Sequence, residues 1–211
     1  MKIIVFGATG GTGMAVVNRA LERGWHVAAI VRHPPALNIV HANLKIVCGD
    51  VMNLSSFVHE VKGKDAVVSC LGTGSNLRPT TIYSQGIKNI LDAMRDAEVA
   101  RIVSISAGAL EATTEMGFFI RLLTRLVLQR MLKNLYEDMR LMEMYLSQSA
   151  ADYTIMRPAR LVDNKATRRY RMAVNAHLKT PWTISKSDLA DAMLNAIDDR
   201  ETIRSIVEIA Y

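Results

Sequence analysis

The strongest constraint in this chain is the join between its first apolar run and a cluster of glycines. Lys2-Ile3-Ile4-Val5-Phe6 leads directly into Gly7-Ala8-Thr9-Gly10-Gly11-Thr12-Gly13. An unbroken run of branched and aromatic residues suits a strand buried on both faces of a parallel sheet. Met14 to Arg23 then has helical spacing: Ala15, Val16, Ala20 and Leu21 form one apolar stripe, and Gly24 stops it. Strand, glycine turn and helix in that order are what a dinucleotide-binding turn requires. In Gly7-x-x-Gly10-x-x-Gly13 the first glycine makes the tight turn and the second lets backbone N–H groups reach a pyrophosphate. The third lets the helix pack close to the strand. The anion then rests on the positive end of the helix. Glycine in a plain surface turn serves turn chemistry alone and needs no such flanks.

The next strand bears on which nucleotide. His26 to Val31 ends at Arg32-His33-Pro34. A preference for NAD usually places an acid here to accept from the ribose hydroxyls. This chain has none. Arg32 offers a planar fork suited to a 2′-phosphate, with Thr12 and His33 available to assist. The reading is NADP(H) in preference to NAD(H). The competing reading makes Arg32 a solvated strand-end residue.

Composition narrows the class. With 211 residues, half of them hydrophobic and only 6% aromatic, the chain suits one aliphatic α/β domain. A net charge of +6 favours anionic ligands, which nucleotides already are. No dense basic run interleaves with aromatics as a nucleic-acid groove needs. Cys48 and Cys70 form no CxxC and no metal spacing, so both read as buried thiols in a reducing cytoplasm. No signal-peptide pattern precedes the first strand, and no apolar run is long enough for a transmembrane segment.

Strands and helices alternate along the chain. Further strands read at 44–48, 65–70, 101–106, 152–156 and 205–210. Helices read at 54–61, 80–96 and 118–148, and from the capping-box pattern Ser185-x-x-Asp188 to Ala196. The alternation predicts a Rossmann-type, doubly wound, mainly parallel sheet flanked by helices, in a single domain spanning 1–211. Its ligands bind outside the carboxyl ends of the strands. The loops 7–13, 32–34, 49–51, 71–80, 106–110 and 157–165 gather at that edge. Segments 108–135 and 157–184 read as substrate-side elements. The second is irregular and basic, and an ordinary solvated loop would look the same.

These motifs resemble the atypical short-chain dehydrogenase/reductases, most of all the biliverdin-IXβ reductase/flavin reductase group and its NmrA-like relatives. The match runs through Phe6 to Gly13, Val31-Arg32, Gly49-Asp50-Val51, Asp65 to Val68, Leu71-Gly72-Thr73 and Pro79-Thr80-Thr81. It continues in Gly86-x-x-Asn89-Ile90, Ser106-Ala107 and Ile184-Ser185-Lys186-x-Asp188-Leu189. The resemblance implies that Gly7, Thr9, Gly10, Gly11, Thr12 and Gly13 hold the pyrophosphate and Arg32 the 2′-phosphate. Asp50 and Val51 would contact adenine, and Leu71, Gly72 and Thr73 would lie under the ribose and nicotinamide. Ser106 would face the nicotinamide as the catalytic candidate, and Pro158 with its neighbours would close the site.

Ordinary members of that superfamily protonate a carbonyl oxygen with a Tyr assisted by a Lys four residues on. Here Tyr83 is followed at that distance by Ile87, Tyr136 by Arg140, Tyr145 by Ser149, Tyr153 by Arg157 and Tyr170 by Val174. The nearest imitation, Tyr136-x-x-x-Arg140, replaces a point charge by a fork. The missing pair argues against alcohol dehydrogenation. It leaves hydride transfer to a flavin, linear tetrapyrrole or quinone, an anionic or aromatic acceptor that needs little acid catalysis. Ser106 is then the best side chain to position the acceptor or relay a proton, unless it only bonds backbone. Cys70 reads as an inert thiol before it reads as pocket lining. The apolar and basic run 118–130 fits a helix packed on the sheet, a lid, a dimer face or an anionic lipid surface. A non-catalytic NADP(H) sensor of NmrA-like type is the alternative function. A sugar-nucleotide epimerase is the weakest, since the C-terminal half leaves little room for a substrate domain.

Overall fold

The computed structural model describes residues 1–74, 78–110 and 132–211. Its strands are β1 (Lys2–Phe6), β2 (His26–Val31), β3 (Leu44–Cys48), β4 (Ala66–Ser69), β5 (Arg101–Ile105), β6 (Asp152–Pro158), β7 (Arg160–Val162), β8 (Arg171–Val174), β9 (Thr183–Ser185) and β10 (Ser205–Ala210). Its helices are α1 (Gly11–Glu22), α2 (Val58–Val61), α3 (Ser84–Asp96), α4 (Lys133–Gln148) and α5 (Lys186–Asp198). Eight strands form one sheet in the order β3-β2-β1-β4-β5-β6-β10-β8, parallel except where β8 runs against β10. The order reverses between β1 and β4, the place where such sheets open a crevice for ligands. Strands β1 and β4 pair directly, with Ile3 opposite Ala66 and Phe6 opposite Ser69.

The expected fold class is what forms. Central strands are apolar throughout because helices cover both faces. One face packs Ile3, Val5, Val68 and Val103 under α1 and α5. The other packs Ile4, Phe6, Val67 and Ile102 under α2, α3 and α4. Phe6 and Phe57 meet edge to face at 4.9 Å beneath the carboxyl end of β1.

Several boundaries differ from the sequence reading, each for a local reason. The helix expected from residue 80 starts at Ser84. The Thr80 hydroxyl accepts the Ile82 N–H instead, and the carboxylate of Asp138 on α4 accepts the N–H groups of Tyr83 and Ser84. A tertiary cap therefore sets the start. Strand β6 runs on through Arg157 and Pro158 because β10 continues to pair with it, Ile209 facing Pro158. Of the helix expected over 118–148, α4 is the described part; 111–131 lie outside the described residues. Within 157–184, three short strands replace the expected irregular loop: β7 pairs with β9, and β8 adds an edge to β10. Cys48 also departs from expectation. It is exposed on β3, the outermost strand, which has a sheet neighbour on one side only, while Cys70 is buried as expected.

Candidate active site

The glycine turn is fixed by contacts that no side chain could share. Gly7 has φ +74°, and a Cβ there would lie 2.2 Å from the Cys70 carbonyl oxygen. A Cβ on Gly13 would lie 2.1 Å from the Gly7 carbonyl oxygen. The Gly10 N–H donates to that same Gly7 oxygen at 3.0 Å, and the Gly10 carbonyl accepts the Met14 N–H at 2.8 Å. Gly10 caps α1 without any side-chain hydrogen bond, and no acid stands in the first turn. The positive end of α1 is thus uncompensated by the chain and open to an anion.

In front of it lies a cleft of about 520 Å³, lined by the turn and the ends of β2, β3 and β4. That size falls in the ordinary range for ligand sites. The structure brings Gly7, Thr9, Gly10, Arg32, Asp50, Val51, Leu71, Gly72 and Thr73 together on its walls. Thr80 and Ile82, unassigned from sequence, line it too. Thr12 and Gly13 are buried in the first turn of α1, and Gly11 faces a neighbouring cleft.

The helix behind this wall explains the Gly86-x-x-Asn89 motif. Asn89 donates to the Val51 carbonyl at 2.8 Å. A Cβ at Gly86 would lie 2.9 Å from a Leu71 methyl. So α3 seats both loops to which the resemblance gives adenine and ribose. Asp50 is held by its own turn, its N–H donating to Ser56 Oγ and its carboxylate accepting the Met52 N–H, both at 3.0 Å. Burial raises the pKa of the Tyr83 phenol, an effect partly offset by its hydrogen bonding to Thr73. Tyr83 therefore supports the cleft wall as a neutral group.

Ser106 and Pro158 do not line the cleft. Ser106 is buried at the end of β5, and its hydroxyl donates to Glu143 Oε1 at 2.6 Å. Arg157 grips the same carboxylate through Nε at 3.0 Å and Nη2 at 2.6 Å. Both charged side chains are under 10% exposed, 7% for Arg157 and 9% for Glu143. Planar two-point geometry of this kind is specific as well as strong. The Pro158 carbonyl backs onto Gly108. Sequence reasoning missed Glu143. The available signal was an acid on the apolar stripe of α4, where Met139, Met142 and Leu146 are buried.

The remaining candidates resolve simply. Burial raises the Tyr136 phenol, and Arg140 donates to the Leu110 carbonyl at 2.8 Å, which ties it to the 108–110 turn. Burial pushes the Cys70 thiol up to about 12, so it stays an unreactive thiol. Among the described residues no group of His, Cys, Asp and Glu could hold a metal, and no helix is long and apolar enough to cross a membrane.

Comparison with known proteins decides the family. A model of NAD(P)H-binding proteins matches residues 7–200. The chain belongs to the NAD(P)H-binding family. An uncharacterized chloroplastic protein of Arabidopsis thaliana is 29% identical over 221 residues, covering 99% of this chain and 76% of that protein. Of other curated relatives, from Mycobacterium, Bacillus and Cyanophora, the chain spans less than half the length. The fold is shared with ChuY, an anaerobilin reductase of Escherichia coli O157:H7, at TM-score 0.81 and 18% identity, covering 100% of this chain and 97% of that one. It is shared also with a short-chain dehydrogenase/reductase of Veillonella parvula in complex with NADP, at TM-score 0.79 and 16% identity, covering 100% of this chain and 94% of that one.

The residues of this NAD(P)H-binding chain fit the dinucleotide. The turn excludes side chains at Gly7 and Gly13, the start of α1 offers uncapped N–H donors, and the cleft continues from the turn to Arg32.

Proposed function

We propose that this chain is an NADPH-dependent reductase of a planar conjugated acceptor of the flavin, tetrapyrrole or quinone class. The observation that carries the reading is Arg32, on the cleft wall at the end of β2 where an NAD-preferring site would carry an acid. NADPH, when bound, supplies a hydride. The chain's own part is to bind and orient. Gly7 to Gly13 hold the diphosphate, and Arg32 holds the 2′-phosphate. Asp50 and Val51 flank adenine, and Leu71, Gly72 and Thr73 lie under the ribose and nicotinamide. Ser106 and Pro158 belong to the acceptor side. The Ser106 O–H is committed to Glu143, so toward an acceptor Ser106 presents lone pairs and accepts a hydrogen bond. Such a site aligns two rings and excludes water, consistent with the absence of a Tyr-x-x-x-Lys pair. Segment 157–184, with Arg160, Lys165, Arg168 and Arg169, is the substrate-side element of this reading, although Lys165 and Arg168 line clefts along α1 and not the dinucleotide cleft. A cytoplasmic setting belongs to the same reading.

The test follows NADPH oxidation with FMN, biliverdin and a small quinone, beside NADH, for the wild type and Arg32→Ala. Turnover with NADPH that falls about tenfold or more in kcat/KM in the variant, while NADH turnover is unchanged, is the expected result for a lost charge-assisted contact. Equal loss with both cofactors would remove Arg32 from the 2′-phosphate. The buried commitment of the Ser106 hydroxyl favours one second reading, a non-catalytic NADP(H) sensor. NADPH binding without turnover on any acceptor is its signature, and affinity for a partner protein would then change with NADP(H).

A further inference from the structure

A charge stands over the start of α1 that the fold itself does not explain. Lys186 is the first residue of α5, following the N-cap Ser185. Its side chain lies over Gly11, the first residue of α1: the Lys186 Nζ and Cδ are each 2.8 Å from where a Cβ on Gly11 would stand. The missing side chain at residue 11 is what makes room for the lysine. The ammonium group therefore sits at the positive ends of two helices at once, a place that disfavours cations and favours anions.

The protein offers it little in return. Its carboxylate partner is Asp163, at 2.6 Å, and the Asp163 side chain is 82% exposed. The nearer acid in sequence, Asp188, is committed elsewhere: it accepts from the Thr167 and Arg168 N–H groups and from the Ser185 and Tyr211 hydroxyls. The strand register sets the Lys186–Asp163 pair. Parallel β7 and β9 pair Val162 with Ser185, so Asp163 and Lys186 leave the two strands side by side. An exposed pair of this kind adds little stability. The arrangement instead keeps a cation loosely held against the turn that receives the dinucleotide.

We propose that Lys186 is a ligand for the diphosphate of the bound dinucleotide and that Asp163 is a resting counter-ion which releases it on binding. This rests on the dinucleotide reading of the cleft and adds a residue from the far end of the chain to it. The two charges then have opposite effects on affinity. A purely structural ion pair would make them act alike.

The experiment measures dissociation constants by calorimetry for NADP⁺ and for adenosine 2′-monophosphate, which carries the Arg32-binding phosphate but no diphosphate. Lys186→Met is expected to weaken NADP⁺ about tenfold, the worth of one charge-assisted hydrogen bond, and to leave adenosine 2′-monophosphate unchanged. Lys186→Arg is expected to retain most of the affinity. Asp163→Asn is expected to leave NADP⁺ binding unchanged or up to about threefold tighter, the scale of an exposed ion pair. Wild-type affinity in Lys186→Met would overturn the assignment. So would equal weakening of both ligands, or a loss in Asp163→Asn matching that in Lys186→Met. Failure of the wild type to bind NADP⁺ would overturn the cleft reading itself. Failure of the Arg32→Ala variant alone to discriminate the 2′-phosphate would touch Arg32 and leave Lys186 standing.

Discussion

Gly13 and Gly11 stand two residues apart in one motif, yet a methyl group would meet different things at each. At Gly13 it meets the Gly7 carbonyl and backbone of Ala8, neither of which can yield without opening the turn. At Gly11 it meets only the end of the flexible Lys186 side chain. Gly13→Ala is therefore expected to cost about 1–3 kcal/mol in urea unfolding, the scale of overpacking, and to lose NADP⁺ binding. Gly11→Ala is expected to stay within about 0.5 kcal/mol of wild type. The Gly7-x-x-Gly10-x-x-Gly13 spacing gave Gly13 its packing reason, whereas Gly11 entered only through the family resemblance, because spacing does not report that a distant lysine approaches it. Arg32, Asp50 and Thr73 were legible for a different reason. Arg32 directly follows β2, while Asp50 and Thr73 stand in the loops after β3 and β4, and in a parallel sheet such loops gather at one edge. Ser106 was legible as a position and not as a contact. Its partner Glu143 comes from a helix 37 residues later, and no local pattern links the two.

Elements covered on both faces were the readable ones. The strands β1, β2, β4 and β5 carry runs of branched residues, and α3 has its apolar stripe at regular spacing. What sequence periodicity could not supply were the polar tethers between elements. Arg101 opens β5 and looks like a solvated strand end, yet it is buried. Its Nε donates to the Ile197 carbonyl at 3.0 Å, its guanidinium also reaches the Ala196 carbonyl, and Nη2 donates to Thr154 Oγ1 at 2.7 Å. Burial lowers its pKa from the usual arginine value. A cation here closes the last turn of α5, where carbonyls lack partners within the helix. Arg101→Met is expected to lower unfolding free energy by about 2–4 kcal/mol, through loss of its charged hydrogen bonds to the Ile197 and Ala196 carbonyls and to Thr154. It lies at the amino edge of the sheet, opposite the cleft, so NADP⁺ affinity measured on the folded variant should not change. A fall in affinity at unchanged stability would show that α5 transmits its register to Lys186.

At the scale of the whole molecule, topology followed from alternation, and the part that did not follow is the tail of the sheet. Segment 157–184 contributes strands of three or four residues, too short to show a period, and their partners are distant: β8 lies on β10, the last strand, and β9 lies on β7. Asp188 holds this region to the rest. The residue is fully buried at the start of α5. It accepts hydrogen bonds from the Thr167 and Arg168 backbone and from the hydroxyl of Tyr211, at 2.9, 2.7 and 2.6 Å. One carboxylate thus joins the insertion, the helix cap and the C-terminal residue. Burial alone would raise its pKa, but the hydrogen bonds from Tyr211, Thr167 and Arg168 outweigh it and hold the carboxyl below its ordinary value. A depressed carboxylate stabilises the fold above its unfolded pKa of about 4 and loses that contribution as pH falls through the lower folded value. The wild type should therefore melt several degrees above Asp188→Asn at neutral pH, and the two melting curves should converge below about pH 4. A gap that persists at low pH would mean that the asparagine disturbs packing, and that the charge on Asp188 does not bind the three regions together.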